Sequence, residues 1–283
     1  MEYLFVYGSL CRGLSRNGLL STAEYLGLAL CEGELIDLGH YPGLIQGQGK
    51  VLGEIYRVDI PSTFDLLDQV EGYYPADPQK SLYIRKQISA QSLSTGEKLK
   101  VWTYFYHQDS PKIPSFNKDG YSDYRRYLLD RMGEKVFYVA YGSNLSLERL
   151  KERGVKHYQS VKGYLKDFRL IYNKSPLRDH EQHAYANIIS GAGGKDCPCV
   201  AYEIERSGLS ILDGFEGYPD HYLRTAMPVM TLENIMLSGY VYVAQPEKTV
   251  KNRTASHDYR AHILKGYQDH FLGNLSDYEY QAN

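Results

Sequence analysis

The chain repeats itself once, and this internal duplication is the feature that most limits its possible folds. The run FVYGSL at residues 5–10 is matched by VAYGSN at residues 139–144. The run LDQVEGY at residues 67–73 is matched, in the same order, by LDGFEGY at residues 212–218. Ordered short matches of this kind indicate two copies of one structural unit. A length of 283 residues is enough for about two domains of ordinary size.

The matched motifs place the two copies at residues 1–130 and 136–273. The short polar stretch that separates them contains one glycine, which is typical of a hinge. The spacing between matched motifs grows before Glu216 and shrinks after it. This predicts an insertion in the second copy that includes residues 173–183, followed by a deletion. The polar residues 274–283 are expected to fray.

Each copy has a mixed secondary-structure pattern. Apolar or alternating runs predict strands at residues 3–6, 53–58, 101–106, 136–140 and 239–244. Helical spacing predicts helices at residues 121–129, 146–153 and 256–265. Strands interspersed with few helices favour an α+β fold built on a barrel-like sheet, rather than a doubly wound one.

A further helix is predicted to start near Pro61, with Ser62 as its N-cap. Leu66, Leu67 and Val70 give this helix an apolar face. It must end at the Glu-Gly pair of residues 71–72, so the glutamate is expected at the rim of the core.

The composition argues against several classes of protein. The net charge is −2 and no block of like charge is long enough to form a nucleic-acid or membrane surface. No apolar stretch reaches the length of a transmembrane helix, and the first residues do not resemble a signal peptide. The four cysteines have neither zinc spacing nor a disulfide framework, so we expect reduced thiols and a cytoplasmic location.

The repeated Tyr-Gly-Ser run follows a predicted strand in both copies. Glycine permits a sharp turn there, and a turn exposes backbone N–H groups that can bind a carboxylate or a developing oxyanion. The same tripeptide also ends many strands that have no function. The pattern alone therefore leaves both interpretations open.

Glu71 and Glu216 are the repeated carboxylates. Each follows an apolar helical face, and apolar surroundings raise a carboxyl pKa towards the range of a general acid/base. The alternative is a structural carboxylate that forms an ion pair with the repeated arginine, Arg85 or Arg224.

Other chemistry has less support. His180 and His183 have the spacing of a metal pair, but they lie in the predicted insertion and have no counterpart in the first copy. No phosphate-binding or dinucleotide fingerprint occurs, and no cysteine is shared between the copies. We expect neither a metal nor a cofactor.

Taken together, the Tyr-Gly-Ser turn, the Leu-Asp-x-x-Glu-Gly run and the late-helix tyrosine resemble the γ-glutamylcyclotransferase superfamily. The first copy, with YGSLCRG at residues 7–13, is similar to the shorter branch that includes γ-glutamylamine cyclotransferases and AIG2-like plant proteins. The second copy, with YGSNL at residues 141–145 and ANI at residues 186–188, resembles the γ-glutamylcyclotransferase branch itself. The two matches cover nearly the whole chain.

The resemblance implies a small mixed β-barrel with flanking helices in each copy. It also implies that Glu71 and Glu216 are the acid/base, and that Tyr124 and Tyr259 are pocket tyrosines. The residues that it implies for binding the γ-glutamyl group are Tyr7, Gly8, Ser9 and Leu10 in the first copy and Tyr141, Gly142, Ser143 and Asn144 in the second. Leu10 and Asn144 differ between copies, as do the loops near the leaving group.

We therefore expect an enzyme that releases 5-oxoproline from a small γ-glutamyl compound, without a metal and without a nucleic-acid or membrane partner. Because both copies keep the glutamate, two competent sites are favoured, with the second copy the stronger candidate. Another amide-cleaving reaction on a modified amine is a second enzymatic option. A module that binds an amino-acid-like ligand without turnover is the alternative from another class.

Overall fold

The computed structural model describes residues 1–59, 61–107, 115–177, 182–190 and 196–280. The chain divides into two compact units, residues 1–128 and 129–283. Each unit is built around its own closed ring of strands.

In the first unit, five strands form the ring. They are β1 (Glu2–Val6), β2 (Glu24–Asp37), β3 (Pro42–Val58), β4 (Tyr83–Ser92) and β5 (Lys98–Tyr106). They pair in the order β1-β5-β4-β2-β3, and β3 pairs again with β1, which closes the sheet. Only β1 and β5 run parallel within this ring of described strands. A two-residue strand, β6 (Tyr121–Ser122), adds to the edge of β3.

Strand β1 is buried on both of its faces. Phe5 and Tyr7 belong to one apolar cluster, whereas Leu4 and Val6 belong to another. This follows from the two-residue repeat of a strand, which points successive side chains to opposite sides. The chain leaving β1 therefore enters the turn at Gly8 from a well-anchored position.

Helix α1 (Pro61–Val70) packs on the second of these clusters. It begins at Pro61, because proline suits the first turn of a helix, so Ser62 lies inside the helix and is not its N-cap as predicted. Its buried face consists of Thr63, Phe64 and Leu67, and the predicted apolar residue Leu66 is 42% exposed. Gly72, with a φ of 62°, lets the chain turn just after Glu71.

Helix α2 (Tyr124–Asp130) begins three residues later than predicted. Residues 121–122 instead pair with Lys50 and Val51 of β3. Such a long-range strand pairing leaves no trace in local helical spacing.

The described residues of the second unit form seven strands. They are β7 (Lys135–Ala140), β8 (His157–Leu165), β9 (Phe168–Lys174), β10 (Tyr185–Ser190), β11 (Cys197–Glu205), β12 (Tyr222–Thr231) and β13 (Met236–Ala244). Five of them close a barrel in the order β11-β7-β13-β12-β8, and β7 and β13 are parallel as β1 and β5 are in the first unit. Strands β9 and β10 pair as a separate antiparallel hairpin.

In the described part of this unit, three α-helices flank the barrel: α3 (Leu147–Glu152), α4 (Ser207–Glu216) and α5 (His257–His270). Ser146 caps α3 and Ser256 caps α5 through their hydroxyl groups, which accept from the backbone N–H of Arg149 and Tyr259. Gly217 ends α4 in the left-handed conformation, with a φ of 63°.

The two units differ where the spacing of the motifs predicts. The connection from β9 to β10 covers residues 175–184, whereas the connection from β2 to β3 covers only residues 38–41. After the glutamate, the connection to the next strand covers residues 72–82 in the first unit and 217–221 in the second. The fold class is the predicted one: two tandem α+β barrels with flanking helices. Within the described parts of the chain, no helix is both long and apolar enough to cross a bilayer.

Candidate functional site

In the first unit, β1 and α1 deliver the predicted residues to one cavity of about 90 Å³. Tyr7, Gly8, Ser9 and Leu10 line one part of it, and Glu71 lines another. The loop enters from the buried end of β1, and the glutamate follows the last residue of α1. The repeated turn and the repeated carboxylate are therefore neighbours around one small space.

Gly8 is required by a close approach of β3. A β-carbon placed on Gly8 would lie 2.9 Å from Cγ of Pro42, which is too close for real side chains. In the second unit, a β-carbon on Gly142 would lie 3.0 Å from Cβ of Ala186. A close contact of the same kind therefore constrains this glycine in both copies of the motif, and more tightly in the first.

The turn at residues 7–10 lines the first cavity and is closed by its own hydrogen bonds. Cys11 N–H donates to the Gly8 carbonyl across 2.9 Å, and Arg16 N–H donates to the Ser9 carbonyl across 3.0 Å, which together hold the loop closed. Among the described residues, none accepts a hydrogen bond from the N–H groups of Gly8, Ser9 or Leu10. These N–H groups are suited to bind an anionic oxygen.

Glu71 is half-buried, and burial raises its pKa to about 7, while the nearby positive charge of Arg16 opposes this rise. A carboxyl group with such a pKa is present in both protonation states near neutral pH. It can take a proton in one step and return it in the next. Arg16 lines the same cavity as Glu71.

The second unit arranges its glutamate differently. Glu216 lines a cavity of about 30 Å³ together with Tyr141, Gly142, Ser143 and Asn144. Its Oε1 atom accepts from Nη1 of Arg153 across 2.9 Å and from Nδ2 of Asn144 across 3.2 Å. The carboxylate thus lies in an ion pair, with a side-chain exposure of 17%.

Asn144 explains part of this difference between the units. Its amide nitrogen donates to Glu216 and also to the Tyr138 hydroxyl, across 2.7 Å. The side chain of Leu10, the matching residue of the first unit, has no hydrogen-bond donor. The substitution at one position of the motif therefore changes how the carboxylate is held.

The repeated arginines do not form the alternative ion pair with the glutamates. Arg85 lies 3.3 Å from Asp68, and Arg224 forms an ion pair with Asp213. Both aspartates lie three residues before the glutamate of their unit. The alternative interpretation of Glu71 and Glu216 as partners of these arginines is therefore wrong.

Asp68 and Asp213 are residues whose role sequence reasoning missed. The Tyr104 hydroxyl donates to Asp68 across 2.7 Å, and the Tyr242 hydroxyl donates to Asp213 across the same distance. Each aspartate thereby ties the helix that ends at or just before the glutamate to a barrel strand. The signal was present, because the aspartate belongs to both repeated Leu-Asp-x-x-Glu-Gly runs.

The tyrosine of each repeated Tyr-Gly-Ser turn is buried and supports the turn. The Tyr7 hydroxyl donates to the Tyr104 carbonyl across 2.6 Å, and the Tyr141 hydroxyl donates to the Tyr242 carbonyl across 2.6 Å. Burial raises the pKa of both phenols, so they stay neutral. These side chains hold the turn against the barrel.

Tyr83 and Tyr222 also line the two cavities, although sequence reasoning did not select them. The Tyr83 hydroxyl donates to the Pro42 carbonyl across 2.8 Å, and that of Tyr222 donates to the Ala186 carbonyl. Both belong to the repeated Tyr-x-Arg run that includes Arg85 and Arg224. That repeat was a usable signal.

The two predicted late-helix tyrosines have different environments. Tyr259 lines the second cavity, and its hydroxyl accepts from the Ala186 N–H across 3.2 Å. The structure does not bring Tyr124 to the first cavity; its hydroxyl donates to the His40 carbonyl across 3.4 Å. Pro42, which takes the place of Ala186, has no N–H to offer Tyr124.

The spacing of His180 and His183 in the sequence is that of a metal pair. His180 lies outside the described residues. Among the residues that the structure does describe, no group of histidine, cysteine, aspartate or glutamate side chains is arranged to hold a metal ion.

Comparison with known proteins identifies the family of this chain. The family model described as Gamma-glutamyl cyclotransferase, AIG2-like matches the sequence twice, at residues 4–126 and 138–261. YkqA of Bacillus subtilis is 25% identical over 226 residues, which cover 76% of this chain and 73% of YkqA. The γ-glutamylcyclotransferase family protein YtfP of Escherichia coli is 42% identical over 57 residues, which cover 20% of this chain. The match spans only 50% of YtfP, so the chain covers about half the length of that relative.

The fold comparison extends over both units. The crystal structure of YkqA from Bacillus subtilis covers 94% of this chain and 91% of its own, with a TM-score of 0.69. At 20% sequence identity, this likeness shows a shared fold.

Proposed function

This chain belongs to the γ-glutamyl cyclotransferase, AIG2-like family, and from that premise we propose that it converts a γ-glutamyl amine or γ-glutamyl amino acid into 5-oxoproline and a free amine. The reaction is an intramolecular aminolysis.

The chemistry needs one proton carrier and one anion site. The α-amine of the substrate attacks its own γ-carbonyl carbon, which forms a C–N bond and closes a five-membered ring. Holding the substrate in a bent conformation makes this attack effectively unimolecular. The tetrahedral intermediate then collapses, the bond to the departing nitrogen breaks, and the amine leaves.

We assign the proton transfers of the first unit to Glu71. As a carboxylate it takes a proton from the attacking amine, and as a carboxylic acid it gives that proton to the departing nitrogen. The single observation that carries this assignment is the half-buried carboxyl of Glu71, with a pKa of about 7, in the same cavity as the turn at residues 7–10. A matched pKa is what one group that serves as both base and acid requires.

In the proposed reaction, the turn at residues 7–10 binds oxygen atoms of the substrate. Its N–H groups would bind either the α-carboxylate or the oxyanion that forms on the γ-carbonyl. All four cysteines are buried as free thiols, in agreement with the reducing, cytoplasmic setting that we assume for the enzyme.

The contacts of Glu216 favour the first copy as the more competent site, whereas the sequence favoured the second. Arg153 and Asn144 both donate to Oε1 of Glu216, so this carboxylate is already engaged by two protein groups before a substrate arrives. We therefore propose the first copy, and not the second, as the more competent site. The same observation favours ligand binding without turnover as the second candidate function of the second copy.

The test is a panel of single and double substitutions. Wild type, Glu71→Gln, Glu216→Gln and the double variant would be incubated with γ-glutamyl amino acids and γ-glutamylamines, and 5-oxoproline would be measured by mass spectrometry. General acid/base catalysis typically contributes about 10²–10⁴-fold, so Glu71→Gln should lower the first-copy rate by that range. Glu247→Gln, outside both cavities, is the matched control. A double variant as fast as wild type would overturn the mechanism.

A further inference from the structure

A second, larger recess adjoins Glu216 in the second unit. It has a volume of about 210 Å³ and shares Glu216, Ser143, Tyr222 and Tyr259 with the small cavity of that unit. The residues that extend it away from the small cavity are Arg149, Arg153, Lys174, Leu177, Tyr185 and Phe215. This is where the part of a substrate beyond its γ-carbonyl would lie.

The lining of this recess is strongly cationic. It includes three cations, Arg149, Arg153 and Lys174, and a single carboxylate, Glu216. Together these lining groups carry a formal charge of two positive units. The cavity of the first unit has only one cation in its lining, Arg16, against Glu71. The two copies therefore present different electrostatic environments to a leaving group.

The two arginines are brought together by helix α3 at an energetic cost. Arg149 and Arg153 are four residues apart, so they lie on one helical face, where like charges repel. Burial, and then the charge of Arg153, lower the pKa of Arg149. The buried Nε atom of Arg149 has no hydrogen-bond partner among the described residues. A bound anion would offset the repulsion between the two guanidinium groups.

The other two cations are held in place by aromatic rings. Lys174, at the end of β9, is only 3% exposed, and its Nζ atom lies 5.2 Å from the centre of the Tyr222 ring. The Arg153 guanidinium lies 4.5 Å from the centre of the Phe215 ring. Packing of this kind fixes the direction of a charge before the ligand arrives.

We infer that this recess binds a doubly negative leaving group, so that the second copy takes γ-glutamyl compounds whose amine portion carries a dicarboxylate or a phosphomonoester. This inference rests on the proposed cyclisation, carried out by the second copy once an anion has bound. Arginine forks bind carboxylate and phosphate oxygens in a bidentate manner, and the lysine adds a point charge.

The same binding would also free the acid/base. Arg153 holds Glu216 across 2.9 Å, and an anion between the arginines competes for that guanidinium. Glu216 then takes the proton of the attacking α-amine and returns it to the departing nitrogen, as Glu71 does in the first copy. The bond to the departing nitrogen breaks as the five-membered ring forms, so 5-oxoproline and the free dianionic amine are the only products.

The experiment uses the full chain with Glu71→Gln, which removes the first copy's acid/base. Two matched substrate pairs are compared: γ-glutamyl-glutamate with γ-glutamyl-glutamine, and γ-glutamyl-O-phosphoethanolamine with γ-glutamyl-ethanolamine. In at least one pair, we expect kcat/KM for the dianionic member to be about tenfold higher or more. A tenfold difference corresponds to about 1.4 kcal/mol. The pair that shows the preference identifies the anion. Equal or reversed preference in both pairs would overturn the inference.

Arg149→Met should bring that ratio close to one, whereas Arg149→Lys should retain part of it. Lys151→Met is the matched control, because Lys151 is an exposed cation of the same helix outside the recess. An unchanged ratio in Arg149→Met, with a melting temperature equal to that of the parent, would also contradict the inference.

Binding separates this inference from the proposed reaction. The Glu71→Gln/Glu216→Gln double variant would be titrated calorimetrically with the same four compounds. Tighter binding of a dianionic member that depends on Arg149, without 5-oxoproline from any variant, would keep the recess and reject cyclisation. Turnover of all four compounds with no effect of Arg149 would keep cyclisation and reject the recess.

Discussion

Arg153 donates to Oε1 of Glu216 across 2.9 Å, while the matching Glu71 has no ion-pair partner among the described residues. The two copies thus keep the same carboxylate in two electrostatic states. One is a half-buried acid beside Arg16, and the other is an ion-paired carboxylate beside a cationic recess. The two copies therefore share this carboxylate and differ in the charged groups around it.

The pH dependence of the first copy should report the pKa of Glu71. In the Glu216→Gln background, kcat/KM should fall about tenfold per pH unit below about 7, because the base form of Glu71 is lost as it protonates. The measurement is 5-oxoproline release from pH 5 to 9 with a γ-glutamylamine. Glu71→Gln should remove this inflection from the residual rate. An inflection near the ordinary glutamate value would contradict the assignment.

The same burial predicts a stability effect. Burial raises the pKa of Glu71 from 4.5 to about 7, so the folded state binds this proton more tightly than the unfolded state. The stabilising effect of protonation is therefore complete below pH 4.5 and is lost as the pH rises through 7. Glu71→Gln, which is always neutral, should be more stable than wild type at pH 8, by up to about 3 kcal/mol.

Denaturant unfolding at pH 8 and at pH 4.5 measures this effect. The advantage of Glu71→Gln should shrink at the lower pH, where the wild-type side chain is also neutral. Glu97→Gln, an exposed residue of the same unit, serves as control. An advantage of equal size at both pH values would show that the amide is simply packed better.

Much of this arrangement follows from the repeat. Two matched runs predict two barrels, and the turn and the glutamate that they contain share a cavity in each unit. The sequence could not identify Arg153 as the partner of Glu216, because that contact depends on how α3 packs near the end of α4. The sequence also could not predict that Tyr259 lines its cavity and Tyr124 does not. The Tyr259 hydroxyl accepts from the backbone N–H of Ala186, whereas Pro42, at the matching position of the first unit, has no N–H.

Arg153→Met tests whether the ion pair restrains Glu216. With Glu71→Gln in the same chain, we expect faster turnover of an uncharged γ-glutamylamine, because the carboxylate loses the cation that holds it. Turnover of a dianionic substrate should fall instead, because one of its three cationic partners is gone. Rates with both substrates, measured on the same preparation, give the comparison. Parallel losses on both would contradict a restraining role.

Asp68 is expected to position Glu71 without contacting substrate. Asp68→Asn loses the ion pair with Arg85 and weakens the hydrogen bond from Tyr104, so the end of α1 should become less firmly held. We expect a loss of about 1–3 kcal/mol in unfolding free energy and a lower kcat with little change in KM. Asp65→Asn, on the exposed face of the same helix, is the control. A change in KM alone would argue that Asp68 binds substrate.

Gly8 provides the most direct test of the turn. A β-carbon at this position would lie 2.9 Å from Pro42, so Gly8→Ala must displace either the turn or the start of β3. Because the N–H groups of residues 8–10 depend on that turn, first-copy activity in the Glu216→Gln background should fall by about 10²-fold or more. The control is Gly18→Ala, where an added β-carbon meets no atom within 4 Å. Since overpacking costs about 1–3 kcal/mol, the melting temperature should also fall, and activity must be compared well below it. Full activity in a folded Gly8→Ala variant would mean that the turn does not bind the reacting group.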